Sequence, residues 1–202
     1  GGNYNDPLDG TWEYDGVDWT QITTTINPGA RFRHEMVYDS DRGKAVMFGG
    51  LGSSHLNDTW EYDGVDWNQV TLANSPSARD MHAMAYDSAR QKVVLFGGRD
   101  GGNNNLNDTW EYDGVHWTQI TTVHTPSYRA AHDMTYDSVR QKVVMFGGSS
   151  GSCLADTWEY DGIDWTQVTT ASSPSARHAH EIAYDSARGR VVMFGGYNNA
   201  VN

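Results

Sequence analysis

The sequence predicts an all-β fold, a β-propeller of four-stranded antiparallel blades with four blades to the chain. Three observations predict it. The stretch TWEYDGVDW at 11–19 returns at 59–67, 109–117 and 157–165 with no more than one change each time. Trp12, Trp60, Trp110 and Trp158 stand 48, 50 and 48 residues apart, and Phe48, Phe96, Phe146 and Phe194 keep the same intervals. Within each period β-branched and aromatic residues dominate and no apolar face persists at 3.6 residues, so strands rather than helices fill it.

The second unit illustrates the elements in order. A first strand runs from about His82 to Tyr86, with His82, Met84 and Tyr86 on one face by the two-residue period. Asp87, Ser88 and Ala89 reverse the chain. Val93 to Phe96 form a second strand, apolar throughout and therefore buried on both faces, and Gly97-Gly98 close it. Thr109 to Tyr112 make the third strand and Val115 to Gln119 the fourth, joined at Asp113-Gly114, where glycine accepts positive φ without a Cβ clash. One sheet of this size cannot cover both its faces, so units must stack, and stacking around an axis gives a propeller. Trp12, Trp19, Trp60, Trp67, Trp110, Trp117, Trp158 and Trp165 are the large flat side chains expected to fill the wedge between one sheet and the next.

The double glycines Gly49-Gly50, Gly97-Gly98, Gly147-Gly148 and Gly195-Gly196, followed by LND-type turns, precede the pairs Tyr14/Trp19, Tyr62/Trp67, Tyr112/Trp117 and Tyr160/Trp165. This pattern resembles the kelch repeat, in the form found in bacterial kelch and galactose-oxidase-like propellers, and it covers nearly the whole chain as one domain, 1–202. Three blades are complete, at about 31–70, 79–120 and 129–168, and a fourth is split between 177–196 and 8–22. Pairing those halves within the chain would close a four-bladed ring and remove open strand edges. Pairing between chains would give a larger ring or a head-to-tail polymer, and a segment of a longer array would look the same.

Composition excludes several classes. Fourteen basic residues stand against 26 acidic ones, a net charge of −12 that opposes a phosphate backbone, so nucleic acid is not an expected partner. No apolar run reaches the length of a membrane-spanning helix and no signal peptide is visible, so a soluble chain without membrane insertion is expected. A single cysteine, Cys153, leaves no internal disulfide and no multi-cysteine zinc site.

Candidate chemistry lies in two places. Each unit carries Arg and, three positions on, His: Arg31/His34, Arg79/His82, Arg129/His132 and Arg177/His180. If the first strands line the channel, as the resemblance implies, His34, His82, His132 and His180 would face one axis and suit a channel metal. The alternative is that each His serves its own blade while each Arg pairs with Asp58, Asp108 or Asp156; Gly10 holds that place in the first unit. The loops after the second strands are rich in Asn, Asp and Gly, and Asp100, Asn103, Asn105 and Asp108 offer oxygen ligands for calcium or simply turn-forming side chains. NDT at Asn57 and at Asn107 fits a glycosylation acceptor or a turn into the third strand. Tyr4, His55, Arg99, Tyr128 and Tyr197 are residues in or near loops that are not repeated from unit to unit, and they join Asp100, Asn103 and Asn105 as candidate binding residues.

No nucleophile elbow, zinc-protease helix or phosphate loop occurs. Galactose oxidase, a relative by fold, uses a copper centre with a cysteine-modified tyrosine on a much larger chain, and no matching constellation surrounds Cys153. The expected function is therefore a non-catalytic binding or scaffold module, without an obligate cofactor, that recognises a protein or a carbohydrate through its loops. The alternative is a structural protein that assembles into an oligomer or extracellular filament by exchanging half-blades. The resemblance, with the acidic, Asn-rich, cysteine-poor composition, implies an extracellular or cell-surface setting.

Overall fold

The computed structural model describes residues 7–198, and every described element is a strand or a connection between strands. A first hairpin, β1 (Thr11–Tyr14) and β2 (Trp19–Ile22), is a two-stranded sheet of its own. Next comes a four-stranded antiparallel blade of β3 (Glu35–Asp39), β4 (Lys44–Phe48), β5 (Thr59–Tyr62) and β6 (Trp67–Val70). The following blade comprises β8 (Ala83–Asp87), β9 (Lys92–Asp100), β10 (Asn105–Tyr112) and β11 (Trp117–Ile120), with the two-residue β7 (Arg79–Asp80) pairing on the extended end of β9. A third blade contains β12 (Asp133–Asp137), β13 (Lys142–Phe146), β14 (Thr157–Tyr160) and β15 (Trp165–Val168). The chain ends in a second two-stranded sheet, β16 (His178–Asp185) and β17 (Arg190–Tyr197).

The blades are four-stranded antiparallel sheets, three complete and two halves. Among the described residues β1 pairs with β2 and β17 with β16, and no pairing joins the two halves to each other. The same pairing recurs in each blade: Phe48 faces Thr59, Phe96 faces Thr109 and Phe146 faces Thr157 across the second and third strands, and the middle blade's register shifts only beyond it, between Leu106 and Thr109. In the three complete blades the apolar second strands are buried on both faces, Val93 to Phe96 completely so, whereas β17 is largely exposed.

The fourth strands begin two residues later than the sequence suggests. Tyr112 pairs directly with Trp117, which leaves a four-residue turn rather than a two-residue one. Asp113 explains it: its Oδ1 accepts from Val115 N at 2.8 Å and His116 N at 2.7 Å, holding the turn open, while Gly114 takes φ +92°. The second and third strands of the middle blade run longer than expected because Arg99 and Asp100 keep pairing beyond Gly97-Gly98.

The tryptophans divide by position. Trp67, Trp117 and Trp165 are buried between sheets, and the Nε1 of Trp117 and of Trp165 each donates at 2.9 Å to the hydroxyl of the preceding blade, Thr59 and Thr109. Trp60 is buried and Trp110 and Trp158 partly so, donating to the carboxylates of Asp58, Asp108 and Asp156. Trp12 and Trp19 depart from the expected wedge-filling role: they lie on the outlying hairpin and stay exposed, because among the described residues no adjoining sheet covers them.

Candidate functional site

The loops that follow the second strands and the segments that open the first strands meet at one end of the blades. Arg31, Arg79 and Arg129 anchor this end from below. Each is buried and grips the aspartate just before Thr59, Thr109 or Thr157 of the third strand, Asp58, Asp108 or Asp156, through two nitrogens at 2.7–2.9 Å. Each also donates to the first glycine carbonyl, Gly49, Gly97 or Gly147, at 2.9–3.0 Å. A fixed guanidinium fork satisfying both groups makes a rigid base for the loops above it. The aspartates sit below the usual carboxylate range: burial works against them, but hydrogen bonds from the arginine and the indole prevail.

Above this base the residues that differ between units form a connected layer. Asp80 is buried, and its carboxylate receives Arg33 at 3.1 Å and Arg99 at 3.2 Å, with His55 Nε2 at 3.5 Å. Two expected binding residues, His55 and Arg99, are thus brought together around a third group that the sequence reading did not single out. Asp100 closes the next loop, its Oδ1 accepting from Gly102 N at 2.8 Å and Asn104 N at 2.9 Å, while Asn103 takes the left-handed conformation at φ 63°. Those backbone hydrogen bonds, then Asn104's side chain, hold the Asp100 carboxyl below its ordinary range. The loop is therefore organised by its own turn. Asn105 reaches across to the following blade, donating from Nδ2 to Ser149 O at 2.8 Å. Further round, Cys153 Sγ lies 3.3 Å from His178 Nδ1, and the His178 ring rests on Tyr197 at a centroid distance of 5.9 Å. Tyr128 is exposed on the connection between β11 and β12 and takes no part in these contacts. Tyr4 lies outside the described residues.

The repeated histidines occupy separate spaces between blades. His82 meets Phe48 edge-on at 5.5 Å, His132 meets Phe96 at 5.6 Å and His180 meets Phe146 at 5.5 Å. Among the described residues no group of three or more His, Cys, Asp or Glu is arranged to hold a metal ion, so the channel-metal and calcium expectations find no such cluster there. Burial holds His82 and His132 well below the usual imidazole range, with the nearby Arg79 and Arg129 acting the same way, so both rings are neutral at pH 7.

The channel is lined by the first strands of all four inner sheets, from Glu35 to Tyr38, Met84 to Tyr86, Asp133 to Tyr136 and Glu181 to Tyr184. Its acidic positions follow directly on the repeated histidines. Burial, then Asp133 and Glu181, pushes Glu35 up to about 8. Burial likewise raises Asp133 to about 7, against hydrogen bonds from Ile182 N and Met134 N. Ala83 holds the corresponding place in the middle blade. No described helix could cross a membrane.

Comparison with curated proteins gave no match. Comparison with family models gave one over residues 3–196, the KLHDC2/KLHL20/DRC7 Kelch-repeats domain. Four in-phase units, antiparallel four-stranded sheets and a family match across nearly the full length agree, and the chain belongs to the kelch-repeat family.

Proposed function

We propose that the chain is a non-catalytic protein-interaction module whose loop face, centred on His55, Asp80, Arg99, Asp100 and Asn105, makes the contact. The observation that carries this reading is the contrast between the two ends of the blades. At one end the residues change from unit to unit and are linked across blades; at the other, the Asp-Gly turns and the Tyr-Asp-Ser turns are near copies. A rigid base with a varied rim is the arrangement recognition loops require. The net charge of −12 favours a partner presenting basic side chains.

A photo-crosslinking side chain placed at Asn103 should capture the partner, and one placed at Val65 in the opposite turns should not. Arg99→Glu should weaken capture at Asn103 while leaving the thermal transition in place. Capture from Val65 alone would sink the reading. A carbohydrate ligand needs an open aromatic plane, and the exposed Tyr128 and Tyr197 are the residues to replace if a glycan is found to bind.

A second reading, favoured by the two unpaired half-blades, is self-association through their open edges. An extracellular or surface setting would suit either function.

A further inference from the structure

We propose that the cavity between the β1–β2 hairpin and the β3–β6 blade is a socket for Phe194 of a second copy of this chain, so that the β16–β17 half-blade of one molecule completes the β1–β2 half-blade of the next. The inference rests on the self-association reading above and gives it a site.

The interior joints define what belongs in the socket. Phe48 meets His82 at 5.5 Å and Trp117 at 5.4 Å, both edge-on, and Phe96 meets His132 at 5.6 Å and Trp165 at 5.2 Å in the same way. His34 and Trp67 are the corresponding pair of the first blade. Between them, with Thr11, Trp12, Met36 and Met47, lies a cavity of about 270 Å³. Phe194 holds the same place in the repeat as Phe48 and Phe96 and is 86% exposed.

The rest of that joint is already built. Trp67 Nε1 donates to Thr11 Oγ1 at 2.9 Å and Tyr62 OH to Glu13 Oε1 at 2.8 Å. Trp117 makes the same bond to Thr59, and Tyr112 to Glu61, at identical distances. The hairpin therefore sits where the outer half of a preceding blade belongs, with no inner half beside it among the described residues. The opposite end is its counterpart: Phe146 meets His180 but has no tryptophan beyond it, and Trp19 and Tyr14 are exposed on the hairpin. In the joined pair Trp19 would reach Phe146 and Thr157 as Trp117 reaches Phe48 and Thr59.

Charge fits as well. Glu61 receives Arg42 and, at 2.8 Å, Lys44. Arg188 holds Asp185 at 2.5 Å and remains exposed, while Glu13 accepts from Tyr62 alone among the described contacts. Continuing the register that sets Phe48 against Thr59 and Ala45 against Tyr62 places Phe194 opposite Thr11 and Val191 opposite Tyr14, which seats Arg188 and Arg190 at Glu13. One element is lacking, since Gly10 offers Arg177 no carboxylate.

A second copy is the occupant because the two halves of one molecule form separate sheets while the same aromatic contacts recur at both complete joints. Closing the ring within one chain would have to alter those joints together, whereas docking another copy repeats one of them. Such a contact is heterologous, so it propagates head to tail.

Light scattering across a concentration series tests this on the full chain. The expected mass rises above 22.4 kDa with concentration; a constant 22.4 kDa would overturn both the socket and the self-association reading. Phe194→Asp and Trp19→Ser alter exposed residues, so the chain should still fold, yet each should weaken assembly roughly thirtyfold if these are interface anchors. Glu13→Arg and Arg188→Glu should each weaken it, and their combination should recover part of the loss. Assembly indifferent to all four changes would overturn the socket while leaving self-association standing.

Discussion

Trp165 and Trp19 occupy the same place in the repeat, end nine-residue stretches that differ only at Ile163 and Val17, and each lie at a tilt against the same tyrosine of the repeat, Tyr160 or Tyr14, at 5.0 and 5.2 Å. Trp165 is fully buried and bonded to Thr109; Trp19 is 61% exposed. Phe96 and Phe194 differ in the same way. The contrast teaches that in this molecule burial belongs to the joint between units and not to the unit, which is what a chain of nearest-neighbour interfaces implies. A terminal half-blade carries the whole vocabulary of an interior joint and lacks only the neighbour that would cover it.

The largest test of that contrast is the matched pair Trp165→Ala and Trp19→Ala. The first removes a filled wedge and should cost about 3–5 kcal/mol in guanidinium denaturation, while the second, at a dilution where the chain is monomeric, should cost under ~1 kcal/mol. Equal losses would mean that the tryptophan serves its own hairpin, and the distinction between interior and end would fail.

The glycines sharpen the same comparison by about half as much. Gly97 takes φ +60°, and an added Cβ would stand 2.8 Å from the carbonyl of Arg129, which already accepts from Gly98 N at 2.9 Å. Gly195 has nearly the same backbone, φ +77°, with nothing within 4 Å of an added Cβ. Gly195→Ala should therefore cost only the left-handed strain, ~1–2 kcal/mol, and Gly97→Ala that strain plus a backbone clash, ~2–4 kcal/mol. A difference near zero in thermal stability would show that the blades yield freely at their joints.

Much of this was legible in the residues. The 48–50-residue period, the hairpin, the buried second strands and the Arg-to-Asp anchors all follow from residue type and spacing. The burial of particular copies was not legible, because Trp19 and Trp165 read alike until their neighbours are placed. Nor was the loop cluster complete: His55 and Arg99 stood out as unrepeated, but Asp80, which joins them, was hidden inside the repeated Arg-to-His segment. Its signal was there. The position after the repeated arginine holds Phe32, Asp80, Ala130 and His178, four different chemistries between two fixed residues. The channel acids were hidden for a related reason, since Glu35, Asp133 and Glu181 look like ordinary strand polar residues until the inner strands converge.

The pH dependence of the joints should be smaller and has a definite sign. His82 and His132 have lowered pKa values in the folded state, so the unfolded chain binds more protons near pH 6 and stability falls as pH drops below the unfolded value near 6.5. His132→Leu should flatten that fall by up to about 1 kcal/mol between pH 6.5 and 5.5. A denaturation midpoint that declines as steeply in the variant as in the parent chain would show that His132 is not the group responsible.

Glu35 should act in the opposite direction, and the position it occupies in the repeat makes the effect separable. Its carboxyl, pushed up to about 8 by burial and by Asp133 and Glu181, holds a proton in the folded state at pH values where the unfolded chain has lost it. Its effect on stability is absent below about pH 4, where both states are protonated, and becomes a penalty as pH rises toward 8. Glu35→Gln keeps the shape and removes the charge, and no hydrogen bond of the Glu35 side chain is lost among those described. The variant should match the parent at pH 4 and exceed it at pH 9 by ~1–3 kcal/mol. Ala83 already stands in that position in the middle blade, so a neutral residue there is compatible with the strand. Equal stability at pH 9 would mean that the Glu35 carboxylate is solvated in the open channel. A gain would show that the chain keeps a charge it would be more stable without.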